Sequence, residues 1–149
     1  MNTPRLSSDQ ALQLDHQLCF ALYSASLAMT KLYKPMLDEM GLTYPQYLAM
    51  LVLWEHDGVA VSELGERLHL DSGTLTPLLK RLESAELVTR LRDVQDERRV
   101  LIRLTAAGRK LKARAARIPG CVLDASQCSV AEAVTLTRQV QALRDRLIA

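Results

Sequence analysis

Three cysteines, Cys19, Cys121 and Cys128, supply the thiol chemistry of this chain. Cys19 sits in the run Leu18-Cys19-Phe20-Ala21-Leu22-Tyr23, and every aromatic residue (Phe20, Tyr23, Tyr33, Tyr44, Tyr47, Trp54) falls between positions 20 and 54. A thiolate, not a thiol, is the reactive form of a cysteine, and phenol O–H groups donating to sulfur favour the charged form. The nearest cation in sequence, Lys31, lies three helical turns beyond Cys19, so hydroxyl groups must take that part. Taken alone, a cysteine on a helix is more often a small buried hydrophobe. An oxidised Cys19 would form a sulfenic acid that a second thiol condenses with, and Cys121 and Cys128 are both candidates.

A second set of residues has phosphate chemistry. Residues 80–117 carry 12 Lys/Arg against 5 Asp/Glu, whereas residues 1–79 carry 4 against 9, so a net charge of only +2 conceals a local basic stretch. Such a stretch is the footprint of a nucleic-acid contact or a solvated face. Just ahead of it, Asp71-Ser72-Gly73-Thr74-Leu75-Thr76-Pro77 offers short hydroxyls and helix-start amides, with Lys80 and Arg81 extending the same face. Metal chemistry finds no matching set. His16 and Cys19 are three apart, Cys121 and Cys128 seven apart, and His56 and His69 are scattered. With no glycine-rich phosphate loop either, no metal or cofactor is expected.

The elements that must position these groups follow from local signals. At 149 residues, 48% apolar and 24% charged, the chain fits one globular unit spanning residues 1–149. Its longest uncharged stretch, Met40 to Trp54, is 15 residues and too short to cross a membrane. The start, Met1 to Gln10, is polar and lacks the apolar centre of a secretory signal, which predicts a cytoplasmic protein with reduced thiols.

Ser7 with Gln10 reads as a capping box and Gly41 as a stop, predicting one helix over residues 8–40, bent at Pro35. Along it Leu18, Leu22, Ala25, Met29, Leu32 and Met36 step alternately by four and three, the seam of a helix packed against another helix. Thr43 and Gln46 open a helix through Glu55. A helix at Val61 to Leu68, a tight turn and a helix from the N-cap Asp71 to about Ala85 make a helix-turn-helix. Val88, Arg90, Arg92 and Val100, Ile102, Leu104 alternate as a hairpin around a charged tip. Thr105 caps a basic helix to about Arg117, Pro119-Gly120 is expected to break it, and Ser129 with Glu132 opens the last helix. The fold class is therefore mainly α with a small β-hairpin wing, a winged helix-turn-helix at residues 43–104.

The run Asp96-Glu97-Arg98-Arg99-Val100-Leu101-Ile102-Arg103-Leu104-Thr105-Ala106-Ala107-Gly108 resembles the wing signature of the MarR family of dimeric winged-helix regulators. Leu18 to Trp54, including LCFALYSAS and GLTYPQYLAMLVLWE, is similar to the organic-hydroperoxide-sensing branch of that family, the OhrR-type repressors. The resemblance covers most of residues 12–110 and implies a redox-sensing repressor, not an enzyme. It implies a homodimer joined through residues 8–40 and 105–149, which would use the unpaired seam, and a pseudo-palindromic operator in double-stranded DNA. It makes Arg98 the wing-tip reader of the minor groove and Asp96 its orienting partner, with Arg99 beside them. Asp71, Ser72, Thr74, Thr76, Pro77, Lys80 and Arg81 become the major-groove face.

The resemblance also assigns Cys19 as the peroxide-sensing thiol and Tyr23, Tyr33 and Tyr44 as its supports. Phe20, Leu22 and Trp54 around it would favour organic hydroperoxides over hydrogen peroxide. Tyr33 is 14 residues beyond Cys19, about 21 Å along a straight helix, so a Tyr33 touching that sulfur must come from the other subunit. In the two-cysteine type of these regulators the resolving thiol comes from the other subunit, near the start of the last helix. Cys121, beside Pro119-Gly120 and expected to move more freely, is chosen over Cys128. Three other readings remain: a MarR-type regulator of a small phenolic ligand, a thiol peroxidase, and a simple interaction module.

Overall fold

A computed structural model describes residues 5–149, so the polar start read from Met1 lies partly outside the described residues. The expected helix over residues 8–40 is three pieces. A four-residue helix α1 (Ser8–Ala11) and a 3₁₀ turn (Leu14–His16) precede the long helix α2 (Leu18–Glu39). The Ser7–Gln10 capping box forms, but α1 buries nothing. Without a packed face a helix this short is marginal. Side chains then compete for its last carbonyls: His16 Nδ1 pairs with the Gln10 carbonyl at 2.5 Å, and Gln17 Nε2 donates to Ala11 and Gln13. Gln17 is left extended, and α2 starts afresh after it.

α2 runs through Pro35 without a break and ends where Gly41, at φ 69°, lets the Leu42 N–H return to the Leu37 carbonyl at 3.0 Å. α3 (Tyr44–Glu55) begins with the Thr43–Gln46 capping box and is the central helix. Tyr47, Ala49, Met50, Val52 and Leu53 bury nearly its whole circumference, against α2 and against the elements that follow. Next come β1 (Val59–Ala60), α4 (Val61–Leu68) and α5 (Ser72–Ser84). The turn between α4 and α5 places His69 at φ 54° and brings the Leu70 carbonyl to 3.0 Å from where a Cβ on Gly65 would stand. A side chain at Gly65 would push the two helices apart.

β2 (Val88–Arg92) and β3 (Val100–Leu104) form the expected hairpin, with Val88 opposite Leu104 and Arg92 opposite Val100. The sheet has a third strand that the pattern missed. β1 pairs antiparallel with β3, Val59 opposite Ile102, giving the order β1-β3-β2. Two residues are too few to display alternation, and tertiary pairing makes the strand.

α6 (Ala106–Ala115), capped by Thr105, is followed by α7 (Ile118–Ser126) and α8 (Val130–Ile148). Pro119-Gly120 does not break a helix as expected. Pro119 lies in the first turn of α7, where its missing N–H costs nothing, and the helix preceding it has already ended at Ala115. Arg114 Nη2 donates to the Glu39 carbonyl at 2.7 Å and Arg117 pairs with the Glu39 carboxylate, tying the α6–α7 joint to the end of α2. The buried core runs from Leu37 to Ile118. α8 buries no residue, and no helix among the described residues is long and apolar enough to cross a membrane.

Candidate functional site

The outer face of α5 is assembled by its own cap and by its apolar inner stripe. Asp71 accepts the Thr74 N–H at 2.8 Å, and that backbone bond holds its carboxyl below the usual carboxylate range. Leu75, Leu78, Leu79 and Leu82 are buried, so Ser72, Thr74, Pro77, Lys80 and Arg81 face outward. Thr76 departs from the expected face. It is half-buried, and its carbonyl accepts Arg90 Nη2 from β2 at 3.4 Å. Arg90, not among the expected site residues, also has its buried Nε 3.8 Å from the Glu83 carboxylate, an ion pair without a hydrogen bond. It holds the wing against α5.

At the wing tip, Asp96 Oδ1 accepts both the backbone N–H of Arg98 (3.1 Å) and its Nε (3.4 Å), while the Arg98 side chain remains 93% exposed. Arg99, expected on the DNA-facing surface, is instead turned back. It pairs with Glu63 of α4 at 2.7 Å and lies 3.9 Å from Asp93, so it braces the tip against the helix-turn-helix. The partner on α4 lies 36 residues earlier in the chain, which no local pattern reveals.

The wing is fixed at its base by contacts of similar reach. Asp57 accepts the N–H groups of Gly58 and Leu104, and the Trp54 indole donates to the Gly108 carbonyl at 2.9 Å. A Cβ on Gly108 would stand 2.2 Å from the Leu87 carbonyl oxygen, so only glycine fits this position of the Leu-Thr-Ala-Ala-Gly run.

The thiol chemistry lies elsewhere. Cys19 is exposed in the first turn of α2, whose N-cap residue Gln17 makes no side-chain cap. The first-turn amides of the helix are therefore next to the sulfur, a placement that a helix beginning at residue 8 would not have given. Tyr23 is one turn along and exposed. Tyr33, Tyr44 and Tyr47 form a separate cluster, with Tyr33 at 5.1 Å from Tyr44 and 5.9 Å from Tyr47 between ring centroids, and Trp54 6.5 Å from Tyr47. Burial, followed by the neighbouring Tyr44 and Tyr47, pushes the Tyr33 hydroxyl up to about 12. Burial raises Tyr44 and Tyr47 as well, which keeps all three phenols protonated as donors.

No described residue makes a hydrogen bond to those three hydroxyls. Within one chain the sulfur and the cluster are separated by the length of α2 from Cys19 to Tyr33, about 21 Å. Tyr47 was not among the expected supports, although its place one turn after Tyr44 on α3 was readable.

All three cysteines are free thiols. Cys121 is exposed on α7, its N–H bonded to the Arg117 carbonyl at 3.2 Å, so it sits in regular helix and not in a loose segment at a helix break. Cys128 lies in the short link between α7 and α8 and is half-buried, its Sγ 3.6 Å from the Ser126 carbonyl. Exposure now speaks for Cys121 and backbone freedom for Cys128. Among the described residues no group of three or more His, Cys, Asp or Glu side chains is placed to hold a metal.

Residues 31–115 match the family model for the transcriptional regulator SarA/Rot. The organic hydroperoxide resistance transcriptional regulator of Bacillus subtilis (strain 168) is 56% identical over 118 residues, covering 79% of this chain and 80% of that one. Among solved structures, reduced AbfR bound to DNA is 31% identical, with a TM-score of 0.78 over 96% of this chain and all of its own. The same protein in its disulfide form, 33% identical over 95% of this chain and 96% of its own, superposes at 0.65. The overoxidised form bound to DNA, 32% identical over 95% of this chain and 99% of its own, superposes at 0.76, so the lower score belongs to the disulfide form alone among these three.

Proposed function

The chain belongs to the MarR-type winged-helix transcription regulators, in the branch of the organic hydroperoxide resistance regulators, and from that premise we propose a two-thiol redox repressor that works as a homodimer in the cytoplasm. In it, residues 8–40 and 105–149 join two subunits and residues 43–104 grip DNA. The start of α5, with Ser72, Thr74, Pro77, Lys80 and Arg81, enters the major groove, and Arg98, oriented by Asp96, enters the adjacent minor groove. Arg99 braces the wing, and Asp71 caps the recognition helix.

The observation that carries the sensing half is the separation of Cys19 from the tyrosine cluster. An exposed thiol at a helix start and three donor hydroxyls without a partner are halves of one site if a second copy lies antiparallel along α2. Cys19 and Tyr23 come from one subunit, and Tyr33 and Tyr44 from the other. The thiolate attacks the outer oxygen of an organic hydroperoxide, the O–O bond breaks, the alkoxide leaves as the alcohol after taking a proton, and sulfur becomes a sulfenic acid. Cys121 of the other subunit, or Cys128 in its place, then forms the S–S bond with loss of water. That bond moves α7 and α8, and with them the spacing of the two DNA grips.

Gel-shift titration of the reduced protein with cumene hydroperoxide tests this directly. Wild type is expected to release DNA with an intersubunit Cys19–Cys121 or Cys19–Cys128 peptide in the mass map, while Cys19→Ser stays bound at every dose. Release of Cys19→Ser by the peroxide overturns the reading. A cleft of about 310 Å³ lined by Tyr47, Leu51, Trp54, Lys112 and Pro119 favours the second reading, a small phenolic inducer. In that case Cys19→Ser would keep its response to a phenol and wild type would ignore the peroxide.

A further inference from the structure

We infer that Val94 is a minor-groove contact through which the wing favours A·T over G·C base pairs, an inference that rests on the reading of the wing as a DNA-binding element. Val94 is 99% exposed, more than any other large hydrophobic side chain among the described residues. A singly exposed valine is ordinarily unremarked. This one stands at the tip of a loop whose backbone is held by its own hydrogen bonds. Asp93 Oδ1 accepts the Gln95 N–H at 2.9 Å, the Asp93 N–H donates to the Arg99 carbonyl at 2.9 Å, and Arg99 N–H donates to Asp96 at 2.9 Å. Arg92 reaches the Glu97 carbonyl at 2.8 Å, and Arg99 is held by Glu63. The loop is therefore ordered by its own bonds, and it presents Val94 and Arg98 outward, with Gln95 and Glu97 exposed beside them.

A cation beside a stiff, β-branched apolar group is suited to the minor groove, whose negative potential attracts arginine and whose walls are sugar. The valine also supplies a reason for selectivity. Guanine places its 2-amino group on the groove floor, whereas an A·T pair leaves that floor free of it. Two methyl groups held near the floor fit the A·T surface and meet the amino group of G·C. The contact is apolar and neutralises no phosphate, so it adds affinity without adding salt dependence.

The experiment uses a duplex recovered from a randomised library by the reduced wild-type protein, and a copy in which each adenine outside the two major-groove half-sites is diaminopurine. Diaminopurine adds the 2-amino group and leaves the major-groove edge unchanged. Affinities of wild type, Val94→Ser and Arg98→Ala are measured by fluorescence anisotropy across a salt series. Val94→Ser, which touches nothing in the fold, is expected to bind the parent duplex about 3- to 10-fold more weakly with an unchanged salt slope. Arg98→Ala is expected to lower that slope by about one. Diaminopurine should weaken wild type and leave Val94→Ser less affected. Equal affinity of Val94→Ser and wild type on the parent duplex, or an equal diaminopurine penalty in both, overturns the inference while leaving DNA binding intact. Recovery of no duplex by wild type would instead overturn the DNA-binding reading and this inference with it.

Discussion

From Leu37 to Ile118 the apolar residues close on one another. Met50, Leu53, Leu64, Leu75, Leu79, Ile102 and Ile118 are all essentially inaccessible. The two ends of the chain are built differently. Leu18, Leu22, Met29, Leu136, Val140 and Leu147 follow helical spacing just as regularly, yet all are exposed in the single chain. The middle finishes its core alone and can hold a wing at fixed geometry. The ends leave their apolar stripes uncovered in the single chain, and all three cysteines lie there. In this molecule the helix-turn-helix and the wing sit on the part whose core closes within one chain. Under the proposed function, oxidation of the thiols on those ends would act on the relation between subunits more than on the winged helix itself.

That contrast can be broken most forcefully in the middle. Gly108→Ala places a methyl 2.2 Å from the Leu87 carbonyl, where strand and helix backbone cannot both yield. It is expected to destabilise the fold by about 3 kcal/mol, the upper end for overpacking, as a lower urea midpoint. An unchanged midpoint would show that the wing base is looser than the geometry indicates.

A charge in the unpartnered end should separate the two regions. Val140→Asp on α8 is expected to weaken dimerisation by about 2 kcal/mol, the worth of burying that side chain. Far-UV circular dichroism of the winged helix should stay as it was, while sedimentation at micromolar concentration shifts towards the monomer. A dimer that survives this change would move the interface off α8.

The smallest effect sharpens the contrast at the tyrosines. Tyr33 is pushed up to about 12 when folded, so the folded state holds its proton more tightly than the unfolded chain, whose tyrosine value is 10.0. Its stabilising contribution is full below pH 10 and is lost as pH rises from there through about 12. Tyr33→Phe should flatten that alkaline decline in urea midpoint and leave the neutral value nearly unchanged. A decline of equal steepness in both proteins would assign it to other groups.

Much of the fold was legible because its signals are local. Capping boxes at Ser7, Thr43 and Ser129 are each written within four residues, and each forms. The span Val61–Leu68 and the strands of the hairpin follow from spacing and turn chemistry in the same way. The failures share a different cause. Residues 12–17 lack an apolar stripe, so the cap at Ser7 starts a helix that nothing sustains. Pro119 punctuates equally well as a stop or a start, and only the preceding end at Ala115 decides which. The pairing of Arg99 depends on Glu63, far along the chain.

Residue order alone determined the helices, the caps, the hairpin and the kinds of chemistry available, because those depend on neighbours within a turn or two of backbone. Tertiary structure decided which groups meet. It put Cys19 at an uncapped helix start, gathered Tyr33, Tyr44 and Tyr47 at the other end of the same helix, and spent Arg99 on an internal pair. Such meetings are set by packing across long stretches of chain, and packing is satisfied by the whole fold at once.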